Sequence, residues 1–453
     1  MCDMIMYSEK IQNLIKGLKA GDEVRVTTES KRYEGVLMPS PDLSNSNVLI
    51  LKLKNGYNVG LEIEPTMKIE KLSFEFKKAS KELEVELGKT KEIKKIKFNS
   101  SKPSVSLIGT GGTISSRIDY KTGAVTGLMN PDEILSSIPE LADYVNLTKI
   151  SSPFKIMSEN MNHIHWQEIA KETAKDLKDN EGVIITQGTD TLHFSAAALS
   201  FMLPDVPKPV VLTASQRSTD RPSSDAFMNI ICSVHAAVSD IASVGTCMHG
   251  TSSDDYCLFI RGTKVKKMHT SRRDAFRPIN DLPFAKIYPD GKIDVINDDF
   301  KKKSRSKVVL DNKFDDNVAL VKWYAGAKPD VLDFFVNQGV KGIVIEGNGL
   351  GHVATEGKAW TPTIKSIVDS GVPVFIAPHM LYGRINSNVY SNLRELYHVA
   401  GAVSLEDMLS ETAYVKLGWV LGHTHDAKRV KEMMLHNYAG EFNPRTLPET
   451  FLY

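Results

Sequence analysis

The chain has 453 residues, a formal net charge of +1, 42% hydrophobic residues and 25% charged residues. At about 150 residues per domain, this length predicts about three domains. The composition excludes a mainly disordered chain, a collagen-like fibre and a small disulfide scaffold. It also excludes a simple polycation, so nucleic acid would have to be bound by a local patch.

Cysteine usage and hydropathy indicate a cytoplasmic protein. The four cysteines form no Cys-x-x-Cys pair, which favours reduced thiols over a zinc site or a disulfide framework. The first 20 residues lack the apolar core of a signal peptide. No run of 18 apolar residues is present, so the sequence predicts no membrane span.

Residues 1–98 form the first predicted domain. An amphipathic helical stretch at 11–18 precedes short strand-like segments, separated by turn formers. These predicted strands cover residues 23–27, 33–38, 48–54, 57–63 and 67–76. Five short strands with tight turns predict a small β-barrel of the SH3-like kind. The lysine-rich stretch at 89–102 is interpreted as a solvated boundary, with RNA contact as the alternative.

Residues 103–310 and 311–453, the second and third predicted domains, alternate strand and helix patterns. The predicted strands are 105–109, 182–186, 209–213, 241–246, 318–324, 342–346 and 372–377. The predicted helices are 165–177, 192–203, 224–238, 331–338 and 363–369, followed by a helical tail. This alternation is typical of an α/β fold with parallel sheets.

Two glycine- and threonine-bearing loops follow predicted strands, where parallel sheets bind ligands. They are Gly109-Thr-Gly-Gly-Thr-Ile114 and Gln187-Gly-Thr-Asp-Thr191. Ile114 occupies the sixth position of a dinucleotide fingerprint, which requires glycine there, so that motif is excluded. A threonine is a weak nucleophile unless a base or charged partner activates it, so each loop alone is a weak signal.

These loops, together with Arg261-Gly-Thr-Lys-Val-Lys-Lys267, resemble the bacterial-type asparaginase family. The resemblance implies a two-domain parallel-sheet amidohydrolase over residues 104–425. It also implies that Thr113 is the nucleophile and that Thr189, Asp190 and Lys267 form a second catalytic group. The family pattern selects Lys267 from the neighbouring lysines when counted both from Arg261 and back from Phe276. Which threonine is acylated first stays open.

Further positions resemble family residues around the substrate. Ser158 and Glu159 match the loop that holds the α-carboxylate and α-ammonium groups of the substrate. Tyr120 resembles the tyrosine that closes over the nucleophile, and Asn348 resembles an asparagine of the C-terminal domain. An acidic residue from a neighbouring protomer is not assigned. The pairs at 163/165 and 423/425 have histidines at alternate positions but no ligand pattern around them, and we predict no metal site.

In the first predicted domain, the motifs Gly21-Asp-Glu-Val-Arg-Val26 and Tyr33-Glu-Gly-Val-Leu37 add a narrower resemblance, to the D-subunit family of archaeal glutamyl-tRNA(Gln) amidotransferases. Two further motifs support it, Lys266-Lys-Met-His-Thr-Ser-Arg-Arg-Asp-Ala-Phe276 and Glu346-Gly-Asn-Gly-Leu-Gly-His352. The resemblance implies a glutaminase that supplies ammonia to a partner, the amidotransferase E-subunit, and two copies of each chain with a D–D homodimer at the centre. The partner would use ATP and Mg²⁺ to convert Glu-tRNA(Gln) to Gln-tRNA(Gln) and would make most of the tRNA contacts. No cofactor is expected in this chain.

Two alternatives stay open at this point. One is a stand-alone asparaginase or glutaminase with an accessory domain. The other is a binding protein that has kept the fold without chemistry. The sequence does not determine the preference between glutamine and asparagine.

Overall fold

The computed structural model describes residues 7–19, 21–38, 47–53, 58–72, 99–112, 116–118, 125–127, 141–217, 224–356 and 360–453. Most of the lysine-rich predicted boundary lies outside these ranges, and the three domain limits stay predictions. Over the described ranges, no helix is both long enough and apolar enough to cross a bilayer.

The N-terminal part is a five-stranded antiparallel sheet with one short helix, α1 (Glu9–Leu14). Its strands are β1 (Glu23–Thr27), β2 (Arg32–Leu37), β3 (Val48–Leu53), β4 (Asn58–Glu62) and β5 (Lys68–Lys71), in the order β4-β3-β2-β1-β5. Alternate residues of β1, Val24 and Val26, are buried with Ile11 of α1, as expected for a sheet with one packed face. Five strands were predicted, and the described residues of this part form five, with β4 and β5 as the edges of the sheet.

Residues 104–302 form a large eight-stranded sheet and three small two-stranded ones. The strands are β6 (Ser104–Gly109), β7 (Ser116–Ile118), β8 (Val125–Gly127), β9 (Asn146–Ser151), β10 (Gly182–Thr186), β11 (Val210–Thr213), β12 (Ile241–Ala242), β13 (Val244–His249), β14 (Cys257–Arg261), β15 (Val265–Lys267), β16 (Phe276–Pro278), β17 (Ala285–Ile287), β18 (Ile293–Val295) and β19 (Lys301–Lys302). The helices are α2 (Leu141–Tyr144), α3 (His163–Asp176), α4 (Leu192–Met202) and α5 (Ala226–Val238), with a 3₁₀ turn at Ser158–Asn160.

The large sheet is mixed, with the order β18-β17-β14-β13-β11-β10-β6-β9. Five neighbouring strands of this sheet, β9, β6, β10, β11 and β13, are parallel, as predicted. Strands β14, β17 and β18 extend the sheet with antiparallel pairing. The seven residues between β13 and β14 are too few for a crossover, so the chain turns back as a hairpin. The predicted strand at 241–246 is divided between β12 and β13.

The C-terminal sheet is parallel, with the order β20-β21-β22-β23. Its strands are β20 (Val318–Lys322), β21 (Gly342–Gly347), β22 (Val374–Pro378) and β23 (Val403–Ser404). The helices are α6 (Asp330–Asn337), α7 (Trp360–Asp369), α8 (Ser391–Arg394), α9 (Ser410–Leu421) and α10 (Ala427–Leu435), with a π-helical turn at Glu395–Val399 and a 3₁₀ turn at Pro448–Thr450. Helix α9 packs against α4, so one hydrophobic core extends from the large sheet to the C-terminal sheet.

Candidate active site

The site begins where β6 and β10 end side by side. The backbone N–H of Thr110 donates to the carbonyl of Thr186 at 2.9 Å, which holds the two following loops together. Gly112 has a φ of +83°, and a Cβ there would lie 2.2 Å from the nitrogen of Gly188. Only glycine allows this backbone approach, so the first loop reaches the Thr189-Asp190 segment without a side chain between them.

Three predicted catalytic side chains meet beyond β10. The ammonium group of Lys267 donates to Thr189 Oγ1 at 2.8 Å and to Asp190 Oδ1 at 2.7 Å. Thr189 and Lys267 are largely buried, whereas the Asp190 side chain is 65% exposed. The Thr189 hydroxyl and the Lys267 amine are in direct contact inside the protein, so a proton can pass between them. The exposed Asp190 carboxylate beside them can bind a cationic group of a substrate.

Ser158 joins this group from the 3₁₀ turn. Its hydroxyl donates to Asp190 Oδ2 at 3.5 Å, and its carbonyl accepts from Thr191 Oγ1 at 2.8 Å. A Cβ at Gly188 would lie 2.8 Å from Ser158 Cβ, so the turn is seated directly on the second loop. Glu159, the other predicted member, is exposed.

Other predicted site residues are not brought to this group. Thr113 and Tyr120 lie outside the described residues, so their roles stay predictions. Asn348 follows β21; its side chain accepts from the N–H of Gly349 and its backbone pairs with His352. Within the described ranges, no hydrogen bond links Asn348 to Thr189, Asp190 or Lys267, and its role also stays a prediction.

The segment Arg261–Lys267, which we call the lysine segment, directs its three lysines differently. Lys264 is fully buried and pairs with Asp407 at 2.7 Å, and Lys266 pairs with Glu411. Only Lys267 reaches Thr189. Successive side chains of an extended chain point to opposite faces. Lys264 and Lys266 therefore point toward Asp407 and Glu411, and Lys267 points toward the site.

A buried polar cluster lies behind Lys267 and was not anticipated. Burial lowers the pKa of His193, at the start of α4, to about 4, so its imidazole is neutral at pH 7. Burial alone would raise the pKa of Glu411, but the charge and hydrogen bond of Lys266, together with His193 and a backbone hydrogen bond, lower it overall. Ser410 Oγ donates to Glu346 Oε1 at 2.6 Å and lies 3.2 Å from Glu411 Oε2, which extends the cluster to the end of β21.

The sequence held a weak signal for this cluster. Two lysines at alternate positions before Lys267 indicate an extended segment with one charged face, and buried lysines need acidic partners. Those partners, Asp407 and Glu411, are 143 and 145 residues further along the chain, so their pairing could not be read from spacing.

The paired histidines that raised the question of a metal have other contacts. His165 Nδ1 accepts from the backbone of Asn162 as part of a helix cap, and His163 stacks on Phe314. His423 and His425 contact Asp311 and Asp315 respectively. In the part of the chain that the structure describes, no three histidine, cysteine or acidic side chains converge as metal ligands would.

Comparison with family models divides the chain in three. Residues 18–72 match the "GatD N-terminal domain", residues 104–300 match "Asparaginase, N-terminal" and residues 317–434 match "Glutaminase/Asparaginase C-terminal domain".

Two relatives match this chain over nearly its whole length. The D-subunit of the glutamyl-tRNA(Gln) amidotransferase of Pyrococcus furiosus is 51% identical over 442 residues, which cover 96% of this chain and 98% of the relative. Its counterpart in Methanothermobacter thermautotrophicus is 44% identical over 430 residues, 95% of each chain. The solved structure of the L-asparaginase of Thermococcus kodakarensis is 27% identical to this chain and superposes with a TM-score of 0.67. The match covers 75% of this chain and 99% of the asparaginase chain.

Proposed function

The chain belongs to the D-subunit family of glutamyl-tRNA(Gln) amidotransferases, as an amidohydrolase component with asparaginase-type domains, and from this membership we propose that it hydrolyses glutamine to glutamate and ammonia for a tRNA-dependent amidotransferase. The observation that carries the proposal is the contact of Lys267 Nζ with both Thr189 Oγ1 and Asp190 Oδ1. A lysine in contact with a threonine hydroxyl and a carboxylate is the kind of arrangement that activates a hydroxyl for nucleophilic chemistry.

The residues suit the binding of an α-amino acid amide. The exposed Asp190 carboxylate would receive the α-ammonium group, and the Ser158 hydroxyl, close to Asp190, would contact the α-carboxylate. Glu159 would add negative charge near the ammonium group. The side-chain amide would then extend toward the loop that carries Thr113.

Hydrolysis would pass through an ester. A threonine oxygen attacks the amide carbon, its proton goes to the departing nitrogen, and ammonia leaves; water then cleaves the ester to give glutamate and restore the hydroxyl. We assign the attack to Thr113 and the proton transfer to the Thr189–Lys267 pair. Lys267 must lose a proton before it can accept one from Thr189. Tyr120 would cover the intermediate, and Asn348 would contribute from the C-terminal sheet.

The ammonia would serve a partner. We propose that the amidotransferase E-subunit activates the γ-carboxyl of Glu-tRNA(Gln) with ATP and Mg²⁺ and receives the ammonia to form Gln-tRNA(Gln). This chain would form a homodimer within a heterotetramer and would itself hold no cofactor. The match of residues 18–72 to the GatD N-terminal domain is the feature that favours this assignment over a stand-alone amidase.

Glutamine hydrolysis should be measured for the chain alone, with the E-subunit, and with both the E-subunit and Glu-tRNA(Gln). We expect ammonia release to rise by at least about tenfold with both additions. Strong asparagine hydrolysis by the chain alone, unchanged by either addition, would instead support a stand-alone asparaginase.

The nucleophile can be identified separately with an electrophilic diazoketone analogue of glutamine, followed by peptide mass spectrometry. We expect the label on Thr113. A label on Thr189 would exchange the two roles, and Thr113→Ala, Thr189→Ala and Lys267→Ala variants that all still release ammonia would refute the site.

A further inference from the structure

The chain continues beyond the C-terminal family match, which ends at residue 434, and folds back over the lysine segment. We call residues 436–443 the tail strap. The carbonyl of Ala439 accepts from Thr263 Oγ1 at 2.9 Å. Gly440 has a φ of +72°, and a Cβ there would lie 2.5 Å from Arg261 Nη1, so strap and lysine segment are in direct contact.

The end of the strap orients the carboxylate that holds Lys264. The backbone N–H of Asn443 donates to Asp407 Oδ1 at 3.1 Å, and its side-chain amide donates to Asp407 Oδ2 at 2.9 Å. The same Oδ2 accepts from Lys264 Nζ at 2.7 Å. The side-chain amide of Asn443 also donates to the carbonyl of Asn280. Lys264, three residues before Lys267, is therefore held by a carboxylate that the strap fixes in place.

The strap is itself firmly anchored. Lys416 of α9 and Glu441 are both fully buried and form an ion pair at 2.6 Å. Glu441 accepts from the backbone N–H groups of Tyr438 and Ala439, and Lys416 donates to the carbonyl of His436. A buried ion pair is stable only when its remaining hydrogen-bonding groups are satisfied, and here the strap backbone supplies the partners.

These contacts converge on one short piece of chain. Lys264 is fixed from the strap side and Lys266 from α9, and Lys267, which follows them directly, points the opposite way into the site. Rotation or sliding of the segment would move Lys267 Nζ away from Thr189 Oγ1. A displacement of about 1 Å at a catalytic group can cost about 10²-fold in rate.

We infer that the tail strap positions Lys267, with Asn443 and Thr263 as positioning residues that act through the lysine segment. The inference rests on the proposed catalytic role of Lys267. The strap lies C-terminal to the family match at residues 317–434. By this inference it fixes the position of Lys267, which belongs to the part of the chain that contains the large sheet.

Two substitutions test the strap in the full chain. Asn443→Ala removes the side-chain bonds to Asp407 and Asn280, and Thr263→Val removes the hydroxyl contact with Ala439 at nearly constant volume. The matched control is Asn337→Ala, because Asn337 is an exposed asparagine at the end of α6, outside the strap. For each variant, kcat and KM for glutamine and the unfolding midpoint should be measured, with the partner and tRNA present for kinetics.

We expect kcat to fall about tenfold or more for Asn443→Ala and about threefold for Thr263→Val, with KM within twofold and Asn337→Ala unchanged. Asn443→Gln should recover part of the Asn443→Ala loss. If Asn443→Ala proves unfolded, the isosteric Thr263→Val decides. Wild-type kcat in folded variants, or a raised KM with kcat intact, would overturn the inference. Retained hydrolysis in Lys267→Ala would instead refute the proposed function, whatever the strap variants do.

Discussion

The two faces of the lysine segment place similar chemical groups in opposite environments. On one face, Lys264 and Asp407 are 0% and 3% exposed, and every oxygen of Asp407 is engaged by Lys264 or Asn443. On the other face, Lys267 is 10% exposed and Asp190 is 65% exposed, with Thr189 as a third member. The separation between nitrogen and oxygen is 2.7 Å in both pairs.

The comparison teaches that distance alone does not separate a structural pair from a reactive one. Lys264–Asp407 is closed, because both side chains are buried and each carboxylate oxygen already accepts a hydrogen bond. Thr189–Lys267–Asp190 is open on the carboxylate side, so a substrate cation can enter. The closed pair lies three residues from the open one and holds the chain in register for it.

The largest expected effect on activity comes from removing Lys267 from the open Thr189–Lys267–Asp190 group. Lys267→Ala should lower glutamine hydrolysis by about 10³-fold or more, since the proton acceptor for Thr189 is lost. Its free energy of unfolding should change by less than about 1 kcal/mol, because Asp190 stays solvated. Steady-state kinetics and urea unfolding measure both. A loss of stability comparable to that of a buried pair would show that the two faces do not differ.

Breaking the closed Lys264–Asp407 pair should lower the stability of the fold. Lys264→Met leaves the Asp407 carboxylate buried without a cation and should cost about 3 to 5 kcal/mol in the free energy of unfolding. The double variant Lys264→Met/Asp407→Asn removes the buried charge and should recover part of that loss. A cost below about 1 kcal/mol for the single variant, measured by urea unfolding, would mean that water reaches Asp407.

The buried cluster behind Lys267 should make stability depend on pH. The unfolded chain binds a proton at His193 below its ordinary pKa of 6.5, whereas the folded chain does so only near 4. The lowered pKa therefore stabilises the fold above pH 6.5, and this contribution, about 3 kcal/mol, is lost between pH 6.5 and 4. His193→Gln should flatten the fall in that window, and the exposed His398→Gln should not. Equal pH profiles for the two variants would contradict the buried, neutral imidazole.

The smallest effect is expected for a pair that has neither burial nor chemistry. Lys365 and Asp369 lie one helical turn apart on α7 at 2.9 Å, with side chains 50% and 61% exposed. Lys365→Ala should change the free energy of unfolding by less than about 0.5 kcal/mol and leave hydrolysis at the wild-type rate. A cost above about 1 kcal/mol in thermal unfolding would show that exposed pairs matter more here than geometry suggests.

Much of the fold could be predicted because its signals are local. The predicted and observed strands coincide at residues 23–27 and 182–186, where alternation or a continuous apolar run is strong. β9 and the antiparallel strands β14, β17 and β18 were missed. Three of these four, β9, β17 and β18, are short or only partly buried, so their pairing depends on neighbouring strands more than on their own pattern.

The sequence by itself determined the α/β class and the two threonine loops, because each depends on residue types at fixed spacings within a short stretch. The choice of Lys267 came from the resemblance to the asparaginase family. Only the tertiary structure decided that Lys264 and Lys266 turn away to Asp407 and Glu411, that His193 is neutral, and that the tail strap reaches the lysine segment. The two lysine pairings and the strap contact join residues 143, 145 and 176 positions apart, and contact over such separations exists only once the chain has folded. The neutral imidazole of His193 likewise requires the burial that folding brings about.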